Sequence, residues 1–153
     1  MSIKAYCDSS FDEKRGIAGI GVVIEDGEKR RVVSNWIKAQ SNNEAELFAI
    51  HLASILTEGE GKIYTDSQTA ISYIKGEIKD KPRTQEQYIR HKHCEFWAYQ
   101  IRKRGITPEK IKAHQHYYQT HCIGNRLADL LAQEGRAKFY ERNKLLDNKN
   151  RSR

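Results

Sequence analysis

The sequence predicts an α/β domain, a mixed sheet with helices on its faces. Three observations carry that expectation. Three strand-like runs joined by tight turns fill the chain up to Lys38. A helix, a strand, two helices, a strand and a last helix then follow in turn. With 153 residues, 38% of them hydrophobic, the chain can bury one core.

Residues 3–7 alternate apolar and polar positions, as a strand running into Asp8 would. Residues 9–15 read as a turn, and 16–25 as a second strand whose glycines imply close approach of another backbone. Asp26-Gly27 is a strong hairpin turn, so a third strand over about 28–38 runs antiparallel to the second. Ser41, Asn42 and Asn43 offer capping side chains to the densest helical pattern in the chain, 44–56. Gly59 and Gly61 precede a short strand, 62–65, that ends at Asp66, and 67–75 is a helix closed by Gly76. A charged connector (77–83) leads to a long polar helix over about 84–104, which Gly105 and Pro108 break. The last strand is 110–113, a histidine-rich loop spans 114–124, and the final helix covers about 125–139. From Tyr140 the chain turns polar and basic. The expected organisation is one domain, 1–139, with a basic C-terminal tail, 140–153, that frays at its end.

Lys and Arg number 27 against 20 Asp and Glu, a net charge of +7. A domain this basic commonly meets a polyanion, nucleic acid first. No apolar run approaches the roughly 18 residues of a membrane span, and no membrane association is expected. Residues 1–4 lead straight into a strand rather than a secretory leader. Cys7, Cys94 and Cys122 are odd in number and lack framework spacing, so reduced thiols and a cytoplasmic location are expected.

Asp8 and Asp66 each end a predicted strand, and in open α/β sheets ligands gather at that edge. Taken singly, each reads as readily as a turn or cap residue. Glu46 is more telling, because it projects among Ala45, Ala49, Ile50 and Ala53, away from Glu44, His51 and Glu58. A carboxylate on an apolar side of a helix must be neutral, paired with a cation or bound to metal. Asp129 shares its side with Arg126, Gln133 and Arg136, which reads as a solvated face near a helix start.

Together the motifs resemble the type I ribonuclease H family. Ala5-Tyr6-Cys7-Asp8-Ser9-Ser10 is similar to its opening strand, and Ala18-Gly19-Ile20-Gly21 to its glycine-bearing second strand. Ser41-Asn42-Asn43-Glu44-Ala45-Glu46-Leu47 resembles the Thr-Asn-Asn-x-x-Glu-Leu helix start, and Tyr64-Thr65-Asp66-Ser67-Gln68 the Asp-Ser-Gln motif. Gly124-Asn125-Arg126-Leu127-Ala128-Asp129-Leu130-Leu131-Ala132 resembles the closing Asn-x-x-x-Asp-x-Leu-Ala helix. The likeness runs over about 3–137 in the family's order. It implies a ribonuclease H-like five-stranded sheet, an antiparallel meander of three strands plus two parallel ones, with helices on both faces.

The resemblance also implies a chemistry. Asp8, Glu46, Asp66 and Asp129 would be the catalytic carboxylates, and the resemblance alone assigns Asp129. Hard oxygen ligands select magnesium, with manganese as a substitute, and two such ions can bracket a phosphodiester. Asp8 would bridge them, Glu46 and Asp66 would hold the ion on the leaving-group side, and Asp129 the ion that activates water. The implied reaction is endonucleolytic cleavage of the RNA strand of an RNA–DNA hybrid, leaving 5′-phosphate and 3′-hydroxyl ends. Asn42, Asn43 and Gln68 match positions in the hybrid's minor groove, with Ser10 a further candidate contact, although Asn42 and Asn43 also suit helix capping. A monomer is expected, and no protein partner is implied.

The chain departs from the family pattern in three places. Ser9 stands where a glycine is usual. The basic protrusion that grips the hybrid is shortened, with Lys75, Lys79, Lys81, Arg83 and Lys92 as a reduced version. The family's mobile histidine matches His114, followed as a candidate by His116 and then His121, in a loop longer than usual. Trp97 suits the core better than a stacking platform. The scattered histidines and cysteines lack the paired spacing of a zinc site. Two alternatives stay open: an inactive module binding hybrid or double-stranded RNA, and another nuclease of this fold, of integrase or resolvase type.

Overall fold

A computed structural model describes residues 3–111 and 120–151. The strands are β1 (Ile3–Asp12), β2 (Ile17–Asp26), β3 (Lys29–Lys38), β4 (Lys62–Thr65) and β5 (Glu109–Lys110). They form one sheet in the order β3-β2-β1-β4-β5. The β1–β2 and β2–β3 pairs are antiparallel and the β1–β4 and β4–β5 pairs parallel, as expected. The helices are α1 (Asn42–Leu56), α2 (Gln68–Lys75), α3 (Gln85–Lys103) and α4 (Thr120–Arg151).

Alternation along β1 divides the interior in two. Ala5 and Cys7 enter a core built with Leu47, Ile50 and Ala53 of α1 and with Ala98 and Ile101 of α3. Tyr6 enters a smaller core with Val23, Tyr64 and, from α4, Ala128 and Leu131. α4 lies so close to the sheet that only glycine fits beneath it. A Cβ on Gly19 would stand 1.8 Å from the Ala132 carbonyl oxygen, and one on Gly21 2.0 Å from that of Ala128. This is the close backbone approach that the glycines of the second strand imply.

Three boundaries differ from expectation. β1 runs through Asp8 to Asp12, pairing Phe11 with Ala18 and Asp12 with Ile17, so the polar residues read as a turn are largely strand. Backbone ladder bonds hold that end, and side-chain polarity does not reveal them. Among the described residues β5 is Glu109–Lys110, and residues 112 and 113 of the expected strand lie outside them. The last helix starts at Thr120, inside the stretch read as loop, and reaches Arg151 rather than ending at Phe139. Good helix formers continue it and no proline stops it. Phe139 meets Trp36 edge-on, 4.8 Å between ring centroids, and the Tyr140 hydroxyl donates to Asp12 Oδ2 at 2.5 Å.

Glu44 falls on the side of its helix away from Glu46, yet it is buried too. Its carboxylate accepts from the Gln40 N–H at 2.7 Å, the His93 ring at 3.0 Å and the Trp97 indole at 3.1 Å, tying α1 to α3. Trp97 packs against the core, as expected. Glu44→Ala strands these donors, so a loss of about 2–3 kcal/mol is expected, read as a lower urea midpoint.

Candidate active site

The parallel pairing of β1 with β4 sets the site. Tyr6 lies opposite Tyr64, so Asp8 and Asp66, each two residues further on, come level. Glu46 comes from the first turns of α1, whose start is fixed by Ser41 accepting the Glu44 N–H at 3.2 Å. One carboxylate oxygen from each of Asp8, Glu46 and Asp66 lies within 4.8 Å of the other two. Asp8 and Glu46 are 7% and 6% exposed, and Asp66 is half-buried. Asp8 Oδ1 accepts the Ser9 N–H at 2.8 Å, while Glu46 Oε2 is buried with no hydrogen-bond partner among the described residues.

Capping does not explain Asp66, because Ser67 caps α2 by accepting the Ala70 N–H at 3.1 Å. Nor does it occupy Asn42 or Asn43, because Ser41 caps α1.

Burial pushes the clustered carboxyls up. Asp8 is raised to about 7, by burial first and then by the charge of Asp66. Glu46 is held well above the ordinary carboxyl range by burial and by Asp8. Asp66 is raised by burial and by Asp129. Asp129 itself is half-buried on α4 and stands outside the tight group of three, yet its charge reaches both Asp8 and Asp66. Gln133 donates to its Oδ2 at 3.2 Å. Hard oxygen donors that repel one another when charged, one of them buried and without a partner among the described residues, suit a divalent cation. Cys7 adds no reactive thiol: it is buried, and burial with the nearby carboxylates pushes its pKa well above the usual range.

Asn42 is exposed at the start of α1, and Asn43 lines a hollow of about 330 Å³ with Ser41, Tyr73, Lys81 and Arg90. Gln68 is exposed at the start of α2, with its Nε2 3.5 Å from Ser72 Oγ. Ser10 is half-buried and accepts from Arg136 at 3.4 Å. His114 and His116 lie outside the described residues. His121 lies on α4, where its Nδ1 is 2.9 Å from the Tyr6 hydroxyl and its ring lies 4.4 Å from that of Tyr64. Sequence reasoning missed Arg136, which contacts Ser10 and the Phe11 carbonyl from α4; its cationic side chain in a polar helix gave no signal.

The family model for RNase H matches residues 1–137. The chain belongs to the ribonuclease H family. Solved structures share its fold. A ribonuclease H1 from the halophilic archaeon Halobacterium salinarum is 19% identical, with a TM-score of 0.58 over 90% of this chain and 99% of that one. A ribonuclease H1 isolated from compost by a metagenomic approach is 23% identical, with a TM-score of 0.61 over 91% and 98%. The compost enzyme in complex with an RNA/DNA hybrid aligns with a TM-score of 0.52 over 91% and 99%, also at 23% identity. A search of curated proteins finds no match. No helix among the described residues of this ribonuclease H is long and apolar enough to cross a membrane.

The raised carboxyls make the stability of this ribonuclease H depend on pH when divalent cations are absent. The folded state keeps a proton on Asp8 up to about 7, whereas the unfolded chain releases it near ~4. Stability contributed at this site therefore falls as pH rises between those values and is level above them. Asp8→Asn removes the group. By urea denaturation in chelator, wild type is expected to lose about 2 kcal/mol against Asp8→Asn between about pH 4.5 and 7.5. Added divalent cation should restore it.

Proposed function

We propose that this ribonuclease H is an endonuclease that cuts the RNA strand of RNA–DNA hybrids with two divalent cations, magnesium by preference, and leaves 5′-phosphate and 3′-hydroxyl ends. The observation that carries the reading is the convergence of Asp8, Glu46 and Asp66 oxygens within 4.8 Å, with Glu46 Oε2 buried and unpartnered among the described residues. Asp8, Glu46, Asp66 and Asp129 would hold the cations. When bound, these would activate water and stabilise the leaving oxygen.

The chain's own residues position the substrate. Asn42, Asn43 and Gln68 sit at the starts of α1 and α2, and each carries both a donor and an acceptor. A 2′-hydroxyl is also both, so these side chains suit the RNA strand's minor-groove edge. Ser10, held by Arg136, would meet the backbone from the β1 side. His114 or His116 would carry protons, since the ring of His121 is engaged with Tyr6 and Tyr64. The RNA/DNA hybrid bound by the compost relative supports the choice of substrate. The free thiols Cys7 and Cys94 accord with work in the cytoplasm, where the chain would act as a monomer.

The deciding experiment is a gel assay on labelled RNA–DNA hybrid, duplex DNA and duplex RNA, with and without magnesium. Cleavage of the hybrid alone, and only with magnesium, is expected. Cleavage of duplex DNA would place the chain with nucleases of integrase or resolvase type. Hybrid binding without cleavage would make it a binding module.

A further inference from the structure

The outer surface of α3 carries an arrangement that the carboxylate centre does not use. Tyr88, Lys92, Phe96, Tyr99 and Lys103 share one side of the helix, opposite the buried Cys94, Ala98 and Ile101. The three rings are 52%, 53% and 52% exposed, an apolar stripe of the kind that marks an interaction surface. Each tyrosine has a lysine beside it. Lys92 Nζ lies 5.4 Å from the Tyr88 ring centroid, and Lys103 Nζ lies 5.3 Å from that of Tyr99. A groove of about 600 Å³ runs alongside, lined by Tyr73, His91, Phe96, Tyr99 and Arg102 among others. Arg102 donates to the Tyr73 and Ile74 carbonyls, which fixes a cation at the groove wall. The acid here, Glu95, is engaged by His91 and Lys92. The hollow that holds Ser41 and Asn43 also contains Tyr73 and His91, so a track leads from the start of α1 onto α3.

We propose that this face of α3 binds single-stranded nucleic acid continuing beyond the hybrid duplex. Its bases would stack on Tyr88, Phe96 and Tyr99, and its phosphates would meet Lys92, Lys103 and Arg102. Every base offers a flat face to an aromatic ring, and interleaved cations follow the phosphate spacing without reading sequence. From Tyr88 to Lys103 the stripe is about 22 Å long at helical rise, room for a few nucleotides. The inference rests on the hybrid reading, and its test separates the two.

Asp8→Asn, chosen because it is expected to block cleavage, is titrated by fluorescence anisotropy with a blunt hybrid and with hybrids extended by about six single-stranded nucleotides, in DNA or in RNA. The extended hybrids are expected to bind about tenfold tighter than the blunt one. Adding Phe96→Ala and Tyr99→Ala should remove that advantage and leave blunt-hybrid affinity unchanged, with only a small drop in melting temperature from the lost Phe96–Trp97 contact. Adding Lys103→Gln instead should reduce the salt dependence for the extended hybrids only. The stronger of the DNA and RNA arms identifies which strand takes the track. Equal affinity for blunt and extended hybrids, or an advantage that survives loss of both rings, overturns the proposal. So does a dimer in sedimentation that the two alanine substitutions dissolve. Failure to bind the blunt hybrid refutes the hybrid reading, and this proposal with it.

Discussion

Asp8→Asn is expected to slow hybrid cleavage by at least ~10³-fold, equivalent to about 4 kcal/mol of lost transition-state stabilisation. Asp8 is the most confined of the clustered acids after Glu46, and its oxygens lie level with Asp66 across the β1–β4 pair. Asparagine keeps its shape and one carbonyl oxygen but removes the charge that a divalent cation needs. The same change relieves repulsion with Glu46 and Asp66, so metal-free stability at neutral pH should rise. Hybrid affinity should hold or tighten, because one negative charge beside the phosphates has gone. Single-turnover cleavage, denaturation and anisotropy on one preparation measure all three. Wild-type turnover in this variant would remove Asp8 from the centre. Lost activity together with lost stability would mean that Asp8 supports the fold instead.

Gly21→Ala is expected to cost about 3 kcal/mol or more, at or beyond the upper end of ordinary overpacking. The added methyl would stand 2.0 Å from the Ala128 carbonyl oxygen and 2.6 Å from the Ala132 amide nitrogen. Both are helix backbone, so no rotamer change relieves the overlap and α4 must lift from the sheet. Gly76→Ala is the control. It carries a positive φ of 72° with nothing within 4 Å among the described residues, so it should cost only about 1 kcal/mol of backbone strain. A urea series compares the two. Any folded Gly21→Ala should also need more divalent cation for half-maximal cleavage, because the lifted helix carries Asp129, which we propose as a cation ligand. Equal costs at the two glycines would mean that α4 has slack the packing does not suggest.

Local chemistry made much of this protein legible. Asp26-Gly27 announced the hairpin, Ser67 and Gly76 bounded α2, and the alanine-rich surroundings of Glu46 marked a carboxylate that is buried and clusters with two others. What stayed hidden depends on distant partners. Asp129 reads as a solvated residue because its nearness to Asp8 and Asp66 follows from how closely α4 sits over Gly19 and Gly21. Glu44 reads as outward-facing because the donors that satisfy it lie on α3, 49 and 53 residues away in sequence. The far end of β1 looks like turn because strand pairing, not apolar alternation, holds it. In each case the deciding neighbour comes from elsewhere in the chain, where a periodicity argument has no reach.

Tyr140 lies beyond the segment shared with the family, 1–137, yet its hydroxyl latches onto Asp12 at the end of the strand that bears Asp8, and Arg136 Nε donates to it at 2.6 Å. A chain trimmed to the shared segment would keep every acidic residue of the centre and lose that latch. Common ancestry and mechanical integrity thus have different limits in this molecule: strand pairing and Arg136 would still hold the end of β1, but the tyrosine that ties it to the outer part of α4 would be gone.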